Sequence, residues 1–495
     1  MRANPHLLEI NARSWLCRLR ERYSPDITLS TIPMEELEEI RHLGFDGVWL
    51  MGVWTTSAKA EQLARSSELV KKAVSELDPQ YKPEDISASP FAINEFKLNP
   101  LLGKPEELKQ FKEKLNSMGL RLFLDFVSNH LAIDHPLTQS NPDYFVQAAP
   151  EDIQYHNDWF FECQSQQGPT YLAYGRDPNF PPWKDTAQLN YYNPAARKYM
   201  LDSLLGIAEQ CDGVRCDMVM LTLNEVVEGT WGWLLKKKGF QQPRFEFWEE
   251  AIETVREKHP RFCFLAEVYW GLEWRLQEMG FDYTYDKVLY DRLRQLGAQD
   301  VKGHLRAEKL YQKRSVRFIE NHDEPSAITA FGEAKSKAAA VVCATLGGLR
   351  LFYLSQMRGI PHKIPLQYVN CKFKQNPAIY RFYEKLLKIT DHPAYHGGEW
   401  NLIEPMPSAQ GNESFKNMLC WYWNQRRTLK LVTVNYSNTQ ANCRVKINVS
   451  PKEDCFTFYD ELAEQFFTRE AKDIKDNGLY IELPPYGAHL LDLEF

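Results

Sequence analysis

Residues 197–220 read "RKYMLDSLLGIAEQCDGVRCDMVM", and the fold follows from this stretch. Met200, Leu204 and Ile207 recur at the spacing of one helix face, Asp212 and Gly213 make a turn, and an apolar run follows. Within that run stand Arg215, Cys216 and Asp217, where a buried strand normally tolerates no charge. Side chains two apart on a strand share a face, so Arg215 can hold Asp217 ionised and fix its orientation.

The same unit is written at least three more times. Leu37, Ile40 and Leu43 form a helix stripe that stops at Gly44 before the apolar run 48–51. Leu108, Phe111, Leu115 and Met118 form another, stopped by Gly119 before the run 120–127. Trp248, Ile252 and Val255 form a third, broken at Pro260 before the run 262–266. Helices alternating with near-continuous apolar strands predict a parallel sheet covered on both faces. No Gly-x-Gly-x-x-Gly follows any strand, and polar residues gather at strand C-terminal ends. That pattern predicts an α/β fold, a (β/α)8 TIM barrel, over 1–395.

Between 131 and 190 the rhythm lapses into an aromatic, proline-rich stretch, expected to be a short excursion after the third strand that folds over the barrel mouth. From 396 to 495 the pattern changes to short alternating strands such as "LKLVTVNYS" and "CRVKINVS", which predicts a C-terminal all-β sandwich.

Charge and cysteine usage narrow the class. A formal net charge of −7 without a basic run excludes the cationic footprint of a nucleic-acid binder. No segment has the uninterrupted apolar length of a membrane span or a signal sequence. Ten cysteines are scattered singly, several inside apolar runs (Cys211, Cys216, Cys263, Cys343), so reduced thiols and a cytoplasmic location are expected. The acidic run "EELEE" reads as a solvated helix face.

Three carboxylates end three different predicted strands: Asp217, Glu267 and Asp323. In a parallel barrel all strand C-termini open on one face, so these groups converge. Glycosidic cleavage needs such a set, with one acid to protonate the leaving oxygen and one carboxylate to attack the sugar carbon. A lone strand-end Asp is more often a helix cap, and a lone His a core residue. Three convergent carboxylates are not explained that way.

Four short motifs, "DFVSNH" (Asp125, Asn129, His130), "GVRCD" (Gly213, Arg215, Asp217), "AEVYW" (Glu267) and "FIENHD" (His322, Asp323), stand in that order. In them the chain resembles the α-amylase family of retaining glycoside hydrolases and transglycosylases, almost end to end over the barrel. The resemblance implies Asp217 as nucleophile, Glu267 as general acid/base and Asp323 as the residue that binds and distorts the sugar ring. It implies His130 and His322 as donors to that sugar, Asp125 and Arg215 as organisers of the site, and Phe91 of "SASPFAINEFKLNP" as an aromatic platform. Trp54, Trp159, Trp183 and Trp270 are candidates for stacking on sugar faces, with core packing an equal alternative for each.

The chain also departs from the family's pattern. Asp217 is followed by Met218, Val219 and Met220 rather than a Lys-His pair. The family's calcium site joins the Asn of the first motif, here Asn129, to an Asp of the excursion, and Gln188 stands there instead. A neutral amide is a poorer partner for a hard dication, so no cofactor is expected to be required and calcium is disfavoured. The implied substrate is an α-glucan or maltooligosaccharide, cleaved mainly at α-1,4 bonds. The alternatives are a glucosyl or maltosyl transferase, an α-glucosidase on short glucosides and, from another class, a non-catalytic carbohydrate-binding barrel. The sequence leaves oligomeric state open.

Overall fold

The computed structural model describes residues 1–154, 156–166, 168–447 and 454–494. Eight parallel strands close into a barrel: β1 (His6–Asn11), β2 (Gly47–Met51), β3 (Arg121–Val127), β4 (Gly213–Asp217), β5 (Cys263–Ala266), β6 (Tyr283–Tyr285), β7 (Ser315–Arg317) and β8 (Leu349–Tyr353). They neighbour one another in chain order, and β8 pairs with β1 to complete the ring. Helices between the strands bury the stripes expected of them, including Leu108, Phe111 and Leu115 on Pro105–Ser117 and Trp248, Ile252 and Val255 on Phe247–Lys258. Gly44 and Gly119 sit at φ +81° and +80°, a left-handed turn that stops a helix and that glycine adopts without steric penalty.

One expectation fails. In "EELEE", Glu36 is buried rather than solvated, because the helix Ala12–Arg22 lies alongside. Arg18 and Arg22 pair with Glu36 at 2.9 and 2.8 Å, and the Tyr23 hydroxyl donates to it at 3.0 Å.

The excursion has order of its own. His130–Ala132 pairs antiparallel with Thr186–Gln188, and Gln147–Ala148, Gly168–Ala173 and Phe160–Ser165 make a three-stranded antiparallel sheet. Residues 155 and 167 of this stretch lie outside the described residues.

The C-terminal region is an antiparallel β domain. Its six-stranded sheet runs in the order Glu399–Ile403, Met418–Gln425, Thr428–Asn435, Ala488–Glu494, Cys455–Asp460, Gln465–Glu470, with a second pair, Ala441–Val445 and Leu479–Leu483, over one face. The expected strand "CRVKINVS" is described as far as residue 447, and its last three residues lie outside the described ones. Alternation assigns the two faces separate duties. Met418, Cys420, Leu429 and Leu431 build the domain's own core, whereas Leu419, Trp421, Trp423, Val432 and Val434 join the core of the barrel. Trp423 Nε1 donates to the Thr345 carbonyl at 2.7 Å, and the Tyr436 hydroxyl to the Leu293 carbonyl at 2.6 Å.

Candidate active site

Strand register brings the motifs together. Arg215 on β4 sits level with Asp125 on β3 and Leu265 on β5. The ladder continues past β5, where Glu267 N–H donates to the Cys216 carbonyl at 3.0 Å, so Glu267 emerges beside Asp217. The Arg215 guanidinium lies below both. Its Nη1 donates to Asp217 Oδ1 at 2.5 Å and its Nη2 to Glu267 Oε2 at 2.7 Å, with Asp323 Oδ2 at 3.9 Å. The Arg215 Cζ also sits 5.2 Å from the centre of the Phe91 ring.

A cavity of about 1040 Å³ opens above these groups. Of the expected residues, Phe91, His130, Asp217, Glu267 and Asp323 line it. Asp125, Arg215 and His322 are buried behind its wall instead. Asp125 receives Trp49 Nε1–H at 3.0 Å and the Gly52 N–H at 3.1 Å, which fixes strands β2 and β3 beneath the mouth. The excursion contributes Asp177, Phe180 and Trp183 to the cavity wall.

The four candidate tryptophans separate by position. Trp183 and Trp270 line the cavity. Trp54 is wholly buried with its Nε1–H on the Asp125 carbonyl, and Trp159 is sandwiched by His156 at 3.9 Å and Arg176 at 3.8 Å.

Electrostatics divides the three carboxylates. Glu267 is 3% exposed, and burial pushes its carboxyl up to about 7 against the pull of Arg215, with Asp217 and Asp323 adding to the rise. Asp323 is 39% exposed at the cavity rim. Burial opposes its charge, but the His322 imidazolium beside it holds its carboxyl well below the usual range. For His322 burial again opposes charge, and the Asp323 and Glu9 carboxylates outweigh it, raising the ring to about 10. Burial lowers His130, which favours a neutral ring. Burial lifts Asp125 to about 6, with Arg215 opposing.

Three contributors escaped the sequence. Glu9, on β1, is fully buried and places Oε1 2.6 Å from His322 Nδ1, leaving His322 Nε2 3.0 Å from Asp323 Oδ2. Tyr269 donates its hydroxyl to Glu267 Oε1 at 2.8 Å. Met218 takes a left-handed φ of +43°, which turns its N–H onto Glu267 Oε2 at 2.8 Å. The signal for Glu9 was a carboxylate inside the apolar run "HLLEIN", the same anomaly as Asp217 in its own strand.

Against family models, residues 32–463 match the alpha-amylase catalytic domain. This chain belongs to the alpha-amylase family. Among curated proteins it is 24% identical over 333 residues to an alpha-amylase of Haloarcula japonica, covering 66% of this chain and 40% of that one. It is 23% identical over 423 residues to a cyclomaltodextrinase of Geobacillus thermopakistaniensis, covering 81% and 64%. The chain therefore spans less than two thirds of the length of these relatives. Among solved structures, a maltogenic alpha-amylase of Thermotoga neapolitana superposes with a TM-score of 0.68 at 17% identity, covering 100% of this chain and 99% of the other, a likeness of fold.

At the alpha-amylase family's calcium position the residues do not fit the ion. Gln188 Nε2 donates to Asn129 Oδ1 at 2.8 Å and to the Asn129 carbonyl at 3.0 Å, while Asn129 Nδ2 donates to Gln188 Oε1 at 3.2 Å. The two neutral amides pair with each other in a buried site, an arrangement that suits a hard dication poorly.

Proposed function

We propose that this chain is a retaining glycoside hydrolase acting on α-1,4-glucosidic bonds of α-glucans or maltooligosaccharides. The observation that carries the reading is one buried guanidinium reaching both Asp217 and Glu267 at the floor of an aromatic-lined cavity. Such closeness suits a retaining pair, whose carboxyls stand about 5 to 5.5 Å apart, rather than an inverting pair with room for water between.

In this scheme Glu267, raised to about 7, protonates the glycosidic oxygen as Asp217 attacks the anomeric carbon and the C–O bond breaks. Glu267, now a carboxylate, removes a proton from water, whose oxygen displaces Asp217. Tyr269 and the Met218 N–H hold Glu267 in place through both steps. Asp323, kept ionised by His322, accepts hydroxyls of the bound sugar, while Phe91 and Trp183 supply apolar faces. No metal enters the scheme, consistent with the paired Asn129 and Gln188 amides. The ten free cysteines support a reducing, cytoplasmic setting.

A product time course on maltoheptaose, soluble starch and pullulan tests this. Shorter maltooligosaccharides of retained anomeric configuration are expected. Products longer than the maltoheptaose supplied would replace hydrolysis with transfer, since a sugar acceptor can resolve the same covalent intermediate. Absence of turnover on all three would overturn the reading.

A further inference from the structure

The helix Ala12–Arg22 carries Cys17 and Glu21 one turn apart, so both project from the same face. Opposite them stands Cys371, on the long connection between β8 and the helix Pro377–Thr390. The two thiols and the Glu21 carboxylate lie within 4.8 Å of one another, with Cys371 Sγ 3.2 Å from Glu21 Oε2. Among the described residues this is the one group of three such ligands so gathered. The glycosidase scheme uses none of them.

We infer that Cys17, Glu21 and Cys371 form a binding site for a thiophilic divalent cation, zinc in particular. Around zinc, with Zn–S near 2.3 Å and Zn–O about 2.0 to 2.2 Å, tetrahedral ligand atoms stand roughly 3.5 to 3.8 Å apart. The three donors already lie close to that spacing. Two thiolates exclude calcium and magnesium, which take oxygen ligands, and select zinc or cuprous copper. Asn370 Oδ1, 3.6 Å from Cys17 Sγ, or a water fills the fourth position. The Asn370 amide is anchored by Nδ2–H donated to Asp85 at 2.9 Å, the kind of outer support that fixes ligands in metal sites.

The site ties a helix of the barrel to a segment that forms part of the active-site wall. Leu366 and Gln367, just before Cys371, line the catalytic cavity. The segment is held there by Ser87 N–H on the Gln367 carbonyl at 2.8 Å and by the Tyr368 hydroxyl on Asp78 at 2.9 Å. A bound cation adds a further tether, beside the Asn370–Asp85 hydrogen bond, that joins this segment to the helix Ala12–Arg22.

The test uses the full chain, reduced and stripped of metal, titrated with zinc against a chromophoric chelator and separately with cobalt. One equivalent of zinc should be retained, and cobalt should give a thiolate-to-metal charge-transfer band. Cys17→Ser and Cys371→Ser should each lose the band and bind zinc more than about 100-fold more weakly, beyond the 10- to 100-fold cost of losing an outer-shell partner. Glu21→Gln should weaken it less. Hydrogen exchange across 366–376 should slow on zinc addition in the unaltered chain alone. Cys371 stands on a loop, so Cys371→Ser keeps the readout should Cys17→Ser misfold. Absence of a retained equivalent, zinc affinity in both serine variants equal to that of the unaltered chain, or a Cys17–Cys371 disulfide with no zinc uptake after reduction would each overturn the inference. None of these readouts depends on glucan hydrolysis.

Discussion

Two buried charge clusters lie at the strand ends of this barrel, and they are built from the same residue types. In one, Arg317 donates to Asp286, to the Gly347 carbonyl at 3.0 Å and to the Gln312 carbonyl at 3.1 Å. His304 sits 2.9 Å from the same aspartate, and Asp286 caps a helix through the Leu289 N–H at 3.1 Å. In the other, Arg215 faces Asp217, Glu267 and Asp323, and among the described residues its Nε–H meets no hydrogen-bond acceptor. Burial opposes the charge on Asp286, yet Arg317 and His304 carry it below the usual carboxylate range, whereas Glu267 is pushed up to about 7. One cluster is saturated and closed. The other has more anion than cation and opens onto a cavity. Chemistry resides where neutralisation is left incomplete, and the identity of the residues alone does not show which cluster that is.

The sharpest way to break this contrast is to neutralise one aspartate from each cluster. Asp217→Asn should lower kcat on maltoheptaose by on the order of 10⁴-fold or more while melting close to the parent, since the loss falls on the covalent step. A residual rate within tenfold of the parent would remove Asp217 from the mechanism. Asp286→Asn should behave oppositely. Breaking a buried pair costs about 3 to 5 kcal/mol, so the melting temperature should fall steeply while kcat per folded molecule stays near the parent value.

Smaller effects sharpen the comparison. Glu9→Gln takes one anion from His322 without touching the cavity, and roughly a 10- to 100-fold fall in kcat/KM is expected, the usual cost of losing an outer partner of a site residue. Rescue by Glu9→Asp would separate positioning from packing. Gln188→Ala should cost about 1 to 3 kcal/mol by leaving the Asn129 amide unpaired, and added calcium should not restore the melting temperature. The pH profile is the finest probe. Glu267 must carry its proton for the first step, so kcat/KM should fall as pH rises through about 7. Tyr269→Phe removes a donor that favours the carboxylate form, so that limb should move to higher pH.

Much of this architecture was legible in the sequence for local reasons. The stripe of Leu108, Phe111 and Leu115, the stop at Gly119 and the apolar run after it each follow from a few neighbouring residues. Asp217, Glu267 and Asp323 could be placed on one face because parallel strands share a direction. What stayed hidden depends on register between distant segments. Glu36 appeared solvated until the helix Ala12–Arg22 was laid beside it. Glu9 appeared to be one polar residue in a strand, and only the pairing of β1 with β8 carries it under His322. Asp125, Arg215 and His322 likewise lie in a layer behind the cavity wall rather than in the wall itself, a depth set by how neighbouring strands pack and not by any one motif.

The contact between Glu9 and His322 spans 313 positions of chain. It exists only once the first and last strands of the ring have met, the most distant and entropically slowest closure in the barrel. During refolding, the return of turnover should therefore lag behind the return of helical signal, so that activity times the moment the ring shuts.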